Sequence, residues 1–225
     1  MYTVTNTYCR NCKQEADAGK SWPLCKKCES VAYCSKDCQI SDWPIHKPIC
    51  RPRRADETWA IRILSNNGIG NEDPMKYFQH ELIKDNHPIF SSGGERCPVT
   101  QLLGVPLVIH SMGINKGAPG SNEIAVKLRV ETSNGFAPDM WQLKSPGECI
   151  VMREDRKPLT MALLEAIYRF ISHLMSYPIL ETGWAPWTGL LNPSVWQMFG
   201  KKYYEEQQSA GRQGFGYFFP PVDCQ

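Results

Sequence analysis

No stretch of this 225-residue chain approaches the roughly 18 consecutive apolar residues that a membrane-spanning helix needs. The opening, MYTVTNTYCRNC, lacks the basic-then-apolar order of a secretory signal. No Asn-x-Ser/Thr sequon with a permitted middle residue occurs. Charge of one sign is also missing: the formal net charge is +2, which by itself points to no polyanionic partner. Internal repeats, low-complexity tracts, a phosphate-binding loop, Gly-x-Ser-x-Gly and His-Glu-x-x-His are all absent. Gly68-x-Gly70 has neither the preceding strand nor the third glycine of a dinucleotide loop. The catalytic sets that remain are weak. Cys97 with His80, His87 or His110 could supply a nucleophile and base, but three spare cysteines and four spare histidines allow such a pairing in any chain. His110-Ser111 reads as a strand end, because Leu107, Val108 and Ile109 precede it. The expectation is a non-enzymatic intracellular protein, cytoplasmic, nuclear or both.

What the chain has is cysteine, concentrated at one end. Seven of its ten cysteines and one of its five histidines fall within the first fifty residues. They are spaced as Cys9-x2-Cys12, Cys25-x2-Cys28, Cys34-x3-Cys38 and His46-x3-Cys50. Zinc takes four thiolate or imidazole ligands in a tetrahedron, and a close pair brings two of them to one ion. Four pairs can therefore close two sites, either sequentially or interleaved. Ser35 suits the N-cap of a short helix that includes Cys38. Asp42 suits the cap of a second helix, with Pro44 near its first turn. Thiols kept reduced for metal also fit an intracellular compartment. Cys97, Cys149 and Cys224 are left over and read as buried small hydrophobes.

The ordered ligand set of six cysteines, one histidine and one cysteine resembles the MYND-type zinc finger over about residues 9–50. So do the step Tyr33-Cys34-Ser35 and the run Cys38-Gln39, Asp42-Trp43, His46, Cys50. A RING or PHD finger places its histidine earlier in the ligand order, and a C2H2 finger needs two histidines. The resemblance implies a cross-braced pairing. Cys9, Cys12, Cys34 and Cys38 would hold one Zn2+ ion, and Cys25, Cys28, His46 and Cys50 the other. It also implies a shallow groove beside the zinc sites that takes proline-containing peptides, with Gln39 and Trp43 matching the family's glutamine and tryptophan of that surface. Lys26 stands where some members carry a small polar residue. Full protein coordination, with no open position for water, favours a structural over a catalytic zinc.

Pro48, Pro52 and the cluster Arg51, Arg53 and Arg54 mark a linker over 51–55, and 56–225 is long enough for a second domain with its own core. Asp56 suits the cap of a helix carrying Trp59, Ile63 and Leu64. Asp73-Pro74 suits the start of another with Met75, Phe78 and Leu82 on one face. Residues 105–111 read as a buried strand, with Pro106 suiting an edge. Residues 123–132 alternate as a strand and are followed by the turn Ser133-Asn134-Gly135. Short strands are expected near Met140–Leu143 and Cys149–Arg153. Thr160 caps a helix over 160–177 ended by Pro178, and Asn192-Pro193 opens a last one, weakened at Gly200. The aromatic tail GFGYFFPPV is expected to pack on the domain. The fold class is α+β: a metal-stapled finger, then helices on an antiparallel sheet. No family resemblance covers this part.

The functional expectation is a zinc-dependent protein-interaction module, an adaptor, attached to an uncharacterised domain. Two alternatives stand beside it. One is nucleic-acid association through the finger and Arg51–Arg54, which would make affinity fall steeply with salt. The other is an enzyme within 56–225 that uses the finger as a recruitment arm. The Asn-His-Ser-Cys type of motif expected of a SET-domain methyltransferase is absent from 55–225.

Overall fold

The computed structural model of the protein describes residues 9–12, 14, 16, 22–28, 31–47, 50, 56–70, 72–113, 120–143, 146–157, 159–176, 189–212 and 215. The expected linker 51–55 with its three arginines, Pro178, Cys224 and all of the aromatic tail but Phe215 lie outside them. The chain divides into two compact units, one within Met1–Asp56 and Gln207–Tyr217, the other within Glu57–Glu206.

In the first unit one helix, α1 (Lys36–His46), replaces the two short ones that the sequence suggested. Ser35 caps it as expected, its side chain accepting from the Cys38 N–H at 3.1 Å. Asp42 is not a cap. It is buried within α1, where its carboxylate accepts from the Tyr33 hydroxyl at 2.5 Å and pairs with Arg10 Nε at 2.8 Å. With its Oδ2 held by Tyr33 and Arg10, Asp42 does not cap a second helix, and α1 runs on through Pro44. Phe215 is 1% exposed, with the Arg212 guanidinium 4.9 Å from its ring centre.

The second unit is built on a five-stranded antiparallel sheet in the order β2-β1-β5-β4-β3. Its strands are β1 (Glu57–Ile63), β2 (Phe78–Lys84), β3 (Glu95–Arg96), β4 (Leu107–Gly113) and β5 (Glu148–Arg153). β1 corrects the expected Asp56-capped helix. Consecutive Ala60 and Ile61 are both buried, as happens in a strand covered on both faces, and β1 lies between β2 and β5. The cap at Asp73 is real, its carboxylate accepting from the Met75 N–H, but it starts only a 3-10 turn, Pro74–Tyr77, before β2 takes over. β4 begins two residues later than expected and is interior. Pro106 stands just ahead of it, and its carbonyl accepts from the Glu154 N–H at 2.9 Å. One face of the sheet gathers Ala60, Ile83, Ile150 and Met152 against Ile89, with Phe90 and Val108 beside them. The opposite face carries Ile61, Ile63, Leu107, Ile109, Cys149 and Val151, all fully buried.

The other helices of this unit are α2 (Pro98–Leu102), α3 (Glu123–Leu128), α4 (Asp139–Gln142), α5 (Met161–Ser176) and, as far as Glu206, α6 (Pro193–Ser209). Two of them overturn expected strands. α3 stands where 123–132 alternates, because Asn122 caps it: its Oδ1 accepts from the Ala125 N–H at 3.1 Å. Its Nδ2 donates to the Gly147 carbonyl at 2.8 Å, which ties the helix start to the approach to β5. The residues α3 buries, Ile124, Ala125 and Leu128, follow a helical rather than an alternating period. α4 replaces the strand at Met140–Leu143. Pro138 precedes it, Trp141 is buried, and Met140 and Leu143 face outward. The turn at Ser133–Gly135 is present, with Gly135 at φ 73.

α5 and α6 begin as expected. Thr160 Oγ1 accepts from the Leu163 N–H, and Asn192 Oδ1 from the Val195 N–H. Leu164, Ile167, Tyr168, Ile171 and Leu174 are buried, and Met175 is partly exposed. Glu165 is fully buried in α5 and accepts from the Tyr203 hydroxyl of α6 at 2.5 Å. Trp196 is fully buried with its ring edge-on to Phe170 at 5.5 Å, and α6 continues through a buried Gly200.

Candidate metal centre

Short main-chain bonds shape the turns that carry the cysteines. The Cys9 N–H donates to the Gln14 carbonyl, and the Arg10 N–H to that of Ala32. The Cys25 N–H donates to the Val31 carbonyl and the Tyr33 N–H to that of Pro23, closing the loop that holds Cys25 and Cys28. α1 then delivers Cys38 from its first turn and His46 from its last. The Tyr33–Asp42–Arg10 tie fixes that helix against the Cys9–Cys12 turn. Arg10 and the buried role of Asp42 went unread in the sequence, because nothing local distinguishes a buried aspartate from a capping one.

The eight side chains fall into two clusters, Cys9, Cys12, Cys34 and Cys38, and Cys25, Cys28, His46 and Cys50, with the donor atoms of each within 4.8 Å of one another. The pairing is interleaved, so the cross-brace implied by the family resemblance is present. Sulfurs about 2.3 Å from a zinc ion stand about 3.8 Å apart at tetrahedral angles, and a sulfur and an imidazole nitrogen about 3.6 Å apart. Here Cys12 and Cys34 Sγ are 3.4 Å apart, Cys34 and Cys38 Sγ 3.5 Å, and Cys25 and Cys50 Sγ 3.6 Å. His46 Nε2 lies 3.5 Å from Cys28 Sγ and 3.4 Å from Cys25 Sγ. Both donor sets therefore fit zinc in number, type and spacing.

The proton chemistry agrees. Close thiols without a cation cannot all ionise, and each cluster divides the load. In the first, the Ser35 and Asn11 side chains hold Cys38 down to about 6, while hydrogen bonding with Cys12, with burial added, pushes Cys34 up to about 12. In the second, burial works against ionisation of Cys25, but the Cys28 and Lys27 N–H groups outweigh it and lower that thiol. Burial and Cys25 push Cys50 up to about 12. Burial, then Arg10, lowers His46, which favours the neutral imidazole that a metal requires. Bound zinc supplies the divalent charge that lets every thiol ionise, and with it the cross-links of the unit. All ligands come from protein, as in a structural site.

Gln39 and Trp43 stand one turn apart on α1, both half-buried. Trp43 packs on the cysteine cluster with its ring edge-on to His46 at 5.8 Å. Cys97 is fully buried, and burial pushes its thiol up to about 12. His87 Nδ1 accepts from the Ile89 N–H, and His110 of β4 holds its Nδ1 2.7 Å from the Gly93 carbonyl, so both rings engage the 87–94 segment.

These features define a cross-braced two-zinc finger. Residues 8–50 match the family model of the MYND finger, and the segment is a MYND-type zinc finger, a protein-interaction module. It is 48% identical over 46 residues to the Zinc finger MYND domain-containing protein 10 homolog of Drosophila melanogaster, a match that spans 20% of this chain and 9% of that protein. It is 42% identical over 43 residues to a SET and MYND domain-containing protein of Dictyostelium discoideum, spanning 19% of this chain and 8% of that one. The likeness to these relatives is thus confined to the finger. No solved structure matches the chain.

Proposed function

We propose that this protein is an intracellular, non-enzymatic adaptor whose finger captures proline-containing peptides on the Gln39–Trp43 surface of α1. The observation that carries this reading is the setting of Trp43. One edge of its indole is braced by a metal ligand, while the side chain stays partly accessible. A tryptophan held in one rotamer loses little entropy when a partner covers it, which is what a binding anchor needs. Gln39, one turn earlier, offers an amide that can donate to and accept from an extended peptide backbone. The whole-chain activity stays part of this proposal, since the matched relatives share only the finger.

Trp43→Ala is expected to weaken peptide capture at least about 30-fold, the effect of losing one hot-spot anchor. Zinc content should stay at two ions per chain. Titration of synthetic proline-containing peptides against the zinc-loaded chain, with metal analysis alongside, checks it. Unchanged affinity, or loss of zinc together with affinity, would remove the assignment.

A further inference from the structure

Along α1, Lys36, Ile40, Trp43 and Lys47 are spaced by four, three and four residues, which aligns them as one stripe on a helix. Lys47 closes the helix in helical geometry, so the stripe extends to it. Ile40 and both lysines are exposed, and Gln39 and Trp43 form the half-buried border where the stripe meets the cysteine cluster. The turn between Cys25 and Cys28 adds exposed Lys26 and Lys27. Those cysteines share a site with His46, whose ring packs edge-on to Trp43. Two of these lysines flank the strip on α1, and two lie on the turn whose cysteines share a site with His46. None of the four takes part in an ion pair among the described residues. Of the two acids on α1, Asp42 is buried and held by Arg10 and Tyr33, and Asp37 lies off the stripe in the first turn. The helix thus presents an apolar strip, Ile40 and Trp43, with a lysine at each end that has no ion-pair partner among the described residues.

Resting on the peptide reading above, we infer that this surface selects peptides whose apolar, proline-containing core is flanked by aspartate or glutamate. The core covers Ile40 and Trp43, and a flanking carboxylate meets Lys26, Lys27 or Lys47. Exposed rim pairs are individually weak and screened by salt, so they set preference and on-rate more than affinity.

The test uses the zinc-loaded full chain and a synthetic array of short proline-containing peptides, each core made with Glu, Gln or Lys flanks. Fluorescence anisotropy at low and high salt is expected to show Glu-flanked versions binding about tenfold tighter than Lys-flanked ones at low salt, with the gap narrowing at high salt. The double reversal Lys26→Glu and Lys47→Glu takes the four lysine positions from +4 to zero and should erase the preference while zinc content stays at two. Equal binding of all flanks would overturn the inference and leave the peptide reading standing. Binding of no version, by a wild-type chain holding two zinc ions, would overturn both. A reversal variant that retains zinc and keeps the original order would place the selectivity elsewhere and overturn the inference alone.

Discussion

Replacing Cys38 by alanine is expected to unfold the finger, not merely to weaken one site. The buried cluster at the centre of this unit is Cys9, Cys25, Cys28, Tyr33 and Cys50, so all of its members but Tyr33 are metal ligands. Without metal there is little core left to hold. Structural zinc in small fingers binds with an apparent free energy of about 10–16 kcal/mol, and that binding energy is folding energy. Interleaving spreads the damage. α1 carries Cys38 for one cluster and His46 for the other, so a helix released from the first site no longer positions the ligand of the second. Metal analysis should find fewer than two zinc ions per chain, and the amide resonances of residues 9–50 should collapse towards unfolded positions. A chelator should do the same to the wild-type chain. Two retained ions with native resonances in the variant would show that Cys38 is not a ligand.

Trp196→Ala is expected to cost the second unit roughly 3–5 kcal/mol, the range for emptying a large aromatic from a core. Trp196 is fully buried on α6, edge-on to Phe170 of α5 and at 6.5 Å from Phe199. A domain with ordinary stability of about 5–15 kcal/mol would keep little margin after that loss. Urea unfolding followed by near-ultraviolet circular dichroism gives the number, with zinc content measured alongside so that loss of the finger is not counted. A shift under about 1 kcal/mol would mean that the α5–α6 contact does not hold this unit together.

The finger was legible because metal coordination is local and chemically narrow. Few residue types serve as ligands, and their spacing follows from turn and helix geometry. The second unit was harder for a reason visible in particular pairs. Trp59 and Ile63, Phe78 and Leu82, and Ile124 and Leu128 are each four residues apart. Four is close to one helical turn and is also an even number, so the same pair fits one face of a helix or one face of a strand. β1 and β2 resolved one way and α3 the other. For α3 the deciding group was Asn122, a cap whose second amide bond reaches Gly147 and so depends on the assembled fold. α5 and α6 were readable because their length and their Thr160 and Asn192 caps left no alternative. Asp42 shows the converse: its residue type suited a cap, but Tyr33 and Arg10 both hold its Oδ2.

The central claim is that the finger is a pair of closed, all-protein zinc sites that brace α1. X-ray absorption at the zinc edge of the purified chain, with the metal counted by native mass spectrometry, tests it most directly. Two ions per chain should share the seven sulfurs and one imidazole of the two clusters, with sulfur at about 2.3 Å and no water oxygen. A single ion, or a shell containing water oxygen, would mean an open site and contradict the account.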